Sequence, residues 1–212
     1  MDSREIVLLI IIAAIGYLLG SLNFSVIIGK TLYKTDVREH GSGNAGLTNS
    51  LRTLGKKAAI FTLLGDLVKG VLACLVGMFL LYGEYSRLGL IMGGAFAIIG
   101  HNWPIYFKFK GGKGVLTSLA VMLMVAPIPA LLALAVFAVV LLLSRYVSLS
   151  SIAAVIFLPF FSFFLGNKYG PGLGYNTYFA IFLAILIIIR HRSNIVRIFK
   201  GTENKFSFSK NK

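Results

Sequence analysis

Cysteine and acidic side chains are nearly missing from this chain, which has one Cys and seven Asp plus Glu among 212 residues. With Cys74 alone and in an apolar stretch, neither an intramolecular disulfide nor a cysteine cluster for zinc can form. The carboxylates are equally limiting. Asp36, Glu39, Asp66 and Glu203 are scattered, so a two-metal phosphotransfer site has no ligand box, and no metal or cofactor is expected. The same scarcity, with no G-x-S-x-G elbow, excludes a Ser-His-Asp hydrolase. No Walker A spacing is present. A His and an Asp five positions apart, a common glycerolipid acyltransferase signature, cannot be found either: counting from His101 gives Tyr106, and from His191 gives Val196.

Apolar residues fill the space instead. They make up 57% of the chain, above the roughly 45–50% of ordinary soluble domains, and the mean hydropathy is +0.85. Stretches of spanning length or near it lie at 6–29, 58–82, 88–100, 150–165 and 175–189. A further apolar region, 115–143, is broken by two prolines at 126–129, which predicts two short spans joined by a tight turn. The expected fold is therefore all-α, a single-domain polytopic membrane bundle of about seven helices. The first stretch is too long for a signal peptide, and no cleavage site follows it. "GNKYGPGLG", 166–174, reads as a loop.

Charge gives this bundle an orientation. The formal net charge is +14, and with seven spans Lys30, Lys34, Arg38, Arg52, Lys56, Lys57, Lys108, Lys110, Lys113, Arg145 and the C-terminal tail share one side. Arg4, Arg87 and Lys168 fall on the other. The positive-inside rule puts the N-terminus outside and the C-terminus in the cytoplasm. Lys30, Lys34, Lys56, Lys57, Lys210 and Lys212 need no further role than topology and lipid contact. A nucleic-acid partner is not expected, because the basic residues carry no recognition helix or aromatic platform. The sequence names no protein partner.

Three segments on the expected cytoplasmic side are more particular. "HGSGNAGLTNSLR", 40–52, combines Gly41, Gly43 and Gly46 with Ser42, Asn44, Thr48 and Asn49, and ends in Arg52, which can grip phosphate oxygens bidentately. "GHNWPIYFKFKGGKGVLTS", 100–118, sets Gly111, Gly112 and Gly114 around Lys113 just before a helix should begin. A helix N-terminus with a lysine beside it is a natural phosphate seat. Its aromatics, Trp103, Tyr106, Phe107 and Phe109, fit an interfacial belt, and His101 reads as either a structural or a functional histidine. "RHRSNIVRIFKGTENKF", 190–206, holds His191 and Asn194 three apart, on one face if the last helix continues, and Glu203. A fourth feature, Asp66 and Lys69, lies within a span at pairing distance.

These motifs carry a resemblance. "GSGNAGLTNSLR", "GHNWPIYFKFKGGKGVLT" and "HRSNIVRIFKGTENK" resemble the three cytoplasmic motifs of the bacterial acyl-phosphate:glycerol-3-phosphate acyltransferases, the PlsY family. "TLGKKAA", "GDLVKG", the chain length and the span count extend the likeness over essentially the whole chain. The resemblance implies transfer of an acyl chain from acyl phosphate to the first hydroxyl of glycerol 3-phosphate, releasing phosphate, in a bacterial cell membrane with the site on the cytoplasmic side. It implies that Ser42, Asn44, Thr48, Asn49 and Arg52 bind substrate phosphate and orient the donor. Gly111, Gly112, Lys113 and Gly114 would seat glycerol 3-phosphate, His191 and Asn194 would complete the catalytic face, and Glu203 would brace the cationic residues as much as act chemically on the substrate. The base is left open among His191, His101 and a substrate phosphate oxygen. Leu47, Leu116 and Ala120 depart from the family pattern and bear on acyl-chain preference. The competing class is a transporter for phosphorylated solutes, against which stand the missing internal repeat and the scarcity of charge within the spans.

Overall fold

A computed structural model describes residues 2–165 and 172–206. Lys168, most of the loop 166–174 and the tail lysines 210 and 212 lie outside these residues. Among the described residues there are helices, turns and no strand, as a chain must be that satisfies its backbone inside lipid. The first compact unit is Met1–Val125 and the second Ala126–Lys212.

In the first unit the expected opening span is two helices, α1 (Ser3–Ser21) and α2 (Phe24–Leu32). Asn23 causes the break: its Oδ1 accepts from Val26 N at 3.3 Å and caps α2, and it is fully buried. Next come the short α3 (Leu47–Thr53), the long α4 (Lys56–Leu80), α5 (Ser86–Asn102) and α6 (Val115–Val125). Helices α1, α4 and α5 pack on one another through small residues. Gly77 and Gly89 face each other so closely that a Cβ on either would strike the other's backbone; a Cβ on Gly16 would strike the backbone of Gly93, and one on Gly93 the backbone of Ala73. Lipid supplies no hydrophobic drive between helices, so such backbone approach is the means of cohesion.

The second unit holds α7 (Pro127–Ser144), α8 (Val147–Leu165), α9 (Tyr175–Arg190) and α10 (Arg192–Phe199). The expected proline break is where α6 ends and α7 starts: Pro127 and Pro129 lie in the first turn of α7, where a missing N–H costs nothing. Helix α8 packs against both α7 and α9. Among the described residues five helices or helix runs are long and apolar enough to cross a membrane, or six if α9 and α10, bent by 59°, are counted as one span. At 11 residues, α6 is shorter than a hydrocarbon core requires.

Candidate active site

The loop before α3 is built around one neutral amide. Asn49 is 1% exposed. Its Nδ2 donates to Val37 O at 2.7 Å and His40 O at 3.0 Å, while its Oδ1 accepts from Ser42 N at 2.9 Å. An amide with three such bonds fixes backbone shape, so Asn49, expected to touch substrate phosphate, holds the loop that carries Ser42. Ser42 and Arg52 are exposed, while Asn44 and Thr48 are half-buried. Fully buried Ala45 lends its carbonyl to Asn23 Nδ2 at 3.3 Å, which ties the loop to the break between α1 and α2.

Arg38 joins this loop to the second motif. Its Nε and Nη2 donate to the two oxygens of Asp36, at 2.9 and 2.6 Å, and Nη1 donates to Phe107 O at 3.0 Å and Lys110 O at 3.1 Å. The guanidinium also lies 5.8 Å from the Phe107 ring centroid. These bonds from Arg38, opposed by partial burial and aided by Lys30, hold the Asp36 carboxyl well below the usual carboxylate range. From sequence Arg38 counts only toward topology; the Asp-x-Arg spacing is the one available hint.

The second motif makes a tight return after α5. Lys108 and Phe109 adopt left-handed backbone with φ of 56° and 57°, uncommon for such residues, and Phe109 N donates to Pro104 O at 3.0 Å. The glycines are demanded by close approach. A Cβ on Gly111 would strike His101 O and Pro104, and one on Gly112 would strike the His101 ring and Ala45 O; Gly112 N donates to His101 O at 3.1 Å. Gly114, at φ 78°, opens α6, where its carbonyl accepts from Ser118 N at 2.7 Å. Half-buried Lys113 therefore stands at the N-terminus of α6, where first-turn N–H groups and the helix dipole favour an anion. His101 itself is only 4% exposed.

In the second unit the third motif turns at His191. The chain bends there between α9 and α10 instead of continuing straight, yet Asn194 N still donates to His191 O at 2.9 Å. Both side chains are buried. His191 Nδ1 lies 2.8 Å from Ile187 O, and since a carbonyl can only accept, Nδ1 carries the proton. Glu203 gathers the motif: Oε1 accepts from Asn194 Nδ2 at 2.7 Å and Ser148 Oγ at 2.8 Å, and Oε2 from Arg197 Nε at 2.7 Å. Burial pushes its pKa up, but the bonds from Asn194, Arg197 and Ser148 outweigh burial and leave it lowered. Glu203 therefore holds Asn194, Ser148 and Arg197 to one point.

Apolar helices, small-residue packing and loops of anion-directed donors define an integral membrane protein handling anionic substrates. The comparisons with known proteins narrow that class. A model of the family described as glycerol-3-phosphate acyltransferase matches residues 10–201. The chain is 43% identical to a glycerol-3-phosphate acyltransferase of Clostridioides difficile, over 97% of this chain and 99% of that one. It is 48% identical to one of Shouchella clausii, over 94% and 97%. Among solved structures it resembles PlsY, an integral membrane glycerol 3-phosphate acyltransferase, in its glycerol 3-phosphate form, with a TM-score of 0.82, 38% identity, and 94% and 96% of the two chains covered. The lysophosphatidic acid form of PlsY gives a TM-score of 0.79 at 37% identity. The chain belongs to the glycerol-3-phosphate acyltransferase family and is a membrane acyltransferase, which displaces the transport reading.

Proposed function

We propose that this enzyme takes its acyl group from an acyl phosphate and gives it to the sn-1 hydroxyl of glycerol 3-phosphate, yielding lysophosphatidic acid and inorganic phosphate. This would be the first acylation of phospholipid biosynthesis, at the cytoplasmic side of a bacterial cell membrane. The observation that carries the reading is Lys113 at the start of α6 in a loop packed against the first motif: two anion-directed segments share one wall, as two phosphorylated substrates require.

An acyl phosphate is a mixed anhydride, already activated, so catalysis rests on positioning and on stabilising charge. The hydroxyl oxygen attacks the acyl carbonyl carbon, the bond from that carbon to the phosphate oxygen breaks, and the hydroxyl proton passes to a base. Ser42, Asn44, Thr48 and Arg52 bind donor phosphate, Gly111, Gly112, Lys113 and Gly114 seat glycerol 3-phosphate, and His191 and Asn194 serve the reacting groups. With Nδ1 donating to Ile187 O, a neutral His191 keeps its acceptor lone pair on Nε2, which supports His191 as base. A phosphate oxygen of the substrate is the alternative base.

The test uses purified protein in lipid with labelled glycerol 3-phosphate, given palmitoyl phosphate or palmitoyl-CoA. Lysophosphatidic acid and free phosphate should appear with palmitoyl phosphate alone; product with palmitoyl-CoA alone would overturn the donor assignment.

A further inference from the structure

Among the described residues the most heavily buried charges lie outside the three motifs. In the middle of α4, Lys69 Nζ stands 2.8 Å from Asp66 Oδ1, 2.9 Å from His101 Nδ1 and 2.9 Å from Leu22 O, to which it donates. Exposure of the three side chains is 2%, 1% and 5% for Lys69, Asp66 and His101. His101 Nδ1 is also 3.7 Å from Asp66 Oδ1. Removing an ion pair from water costs about as much as the pair returns, so stability alone is a weak reason for the cluster. Charged groups within a span are functional candidates.

Its chemistry assigns each atom a part. An ammonium has donors only, so His101 Nδ1, facing Lys69 beside the Asp66 carboxylate, is an acceptor, and a neutral ring then carries its proton on Nε2. That Nε2 edge is the one packed against Gly112, at the place where Gly112 also meets Ala45 O of the first motif. The backbone of His101 is engaged as well, since His101 O accepts from Gly112 N at 3.1 Å. On the other side, Lys69 is bonded to the Leu22 carbonyl freed by the break between α1 and α2, and Asn23, next in the chain, holds Ala45 O. Every route from the ion pair ends at the junction of Ala45 and Gly112, one residue before Lys113.

We propose that Asp66, Lys69 and His101 are positioning residues for glycerol 3-phosphate: the buried pair locks the tautomer and ring of His101, and His101 sets the Gly111–Gly114 loop so that Lys113 is aimed at the substrate. This rests on the reading of that loop as the glycerol 3-phosphate seat. His101 then neither touches substrate nor takes the hydroxyl proton.

The variant Lys69→Met alone would strand the Asp66 carboxylate in the bundle and fail to fold, so the test uses the paired replacement Asp66→Leu with Lys69→Met, which removes both charges. Two single variants go with it. His101→Asn keeps an acceptor near the Nδ1 position and loses the Nε2 edge; His101→Gln does the reverse. Folding is checked by a monodisperse elution profile and by the thermal midpoint in detergent. The paired variant should fold and show a KM for glycerol 3-phosphate raised about tenfold or more, since small misplacements of a binding group have such effects. Its KM for palmitoyl phosphate should stay within about twofold. His101→Gln should lie closer to the wild type than His101→Asn. Adding either to the paired variant should change little further, as expected of residues acting as one unit. A folded paired variant with unchanged KM for glycerol 3-phosphate, or with both constants altered equally, would overturn the proposal. So would additive effects of His101 and the pair. Lys113→Ala in the same assay separates the two readings: if it leaves the KM for glycerol 3-phosphate untouched, the seat is elsewhere, whatever the buried cluster does.

Discussion

The loop 37–52 and the segment 190–206 are both short polar stretches beside apolar helices, and they are held in opposite ways. The first is shaped by the neutral Asn49 amide, which bonds main-chain atoms on both sides of the turn. The second is gathered by one carboxylate, Glu203, which collects one side chain from α8 and two from α10. An amide fixes backbone shape independently of pH, whereas a carboxylate fixes side-chain direction for as long as it is ionised. The difference suits what each carries: Ser42 presents a backbone-set loop edge, while Asn194 needs its side chain aimed.

The groups that these frames and the 111–114 loop present should matter most. Arg52→Ala is expected to lower acyl transfer by roughly 10²–10³, the scale of losing a main stabiliser of developing charge. Activity within a few-fold of the wild type in detergent would remove Arg52 from the phosphate site. His191→Asn should lower turnover by about 10², within the range of one acid–base group, with the protein still folded; a loss traced wholly to misfolding would leave His191 without a catalytic part. Lys113→Ala should raise the KM for glycerol 3-phosphate by about tenfold through loss of one charge-assisted contact, and a change confined to the acyl donor would reverse the assignment of seats.

Smaller effects sharpen the contrast in bracing. Glu203→Gln should destabilise the segment by about 1–2 kcal/mol, the difference between charged and neutral hydrogen bonds, read as faster amide exchange over 192–206. The pH dependence has a definite sign. The Glu203 carboxyl is lowered in the folded state, so its stabilisation is fully present above the ordinary carboxylate range and is lost as pH falls through the depressed folded value. Asp36 behaves likewise through its bonds from Arg38. Acidification into and below that range should therefore loosen 192–206 while the Ser42 amide, bonded to Asn49 Oδ1, stays protected after correction for intrinsic exchange. Equal loosening of both would show that the first loop depends on the Asp36–Arg38 pair more than on Asn49.

Much of this was legible in the chain. Apolar runs announced the helices because backbone groups in lipid have no partner but their own helix, and the two prolines marked the start of α7. The three motif segments suggested anion handling by composition, and their order carried the family likeness. Other features had no local signal. The break at Leu22–Asn23 sits inside an apolar run and arises from an asparagine cap whose amide finds Ala45 across the fold. Arg38 counted as one basic residue among many until folding set it on the carbonyls of Phe107 and Lys110.

His101 shows where the boundary lies. Sequence alone determined that a histidine stands next to a glycine-rich turn, and that Asp66 and Lys69 lie one helical turn apart, because spacing along a helix is a local property. Only the tertiary structure decided that the ammonium of Lys69 meets His101 Nδ1 from another helix and that the far edge of the ring meets Gly112. Contacts between separate helices depend on how glycine-lined surfaces approach, and that distance is written in packing, not in the order of residues.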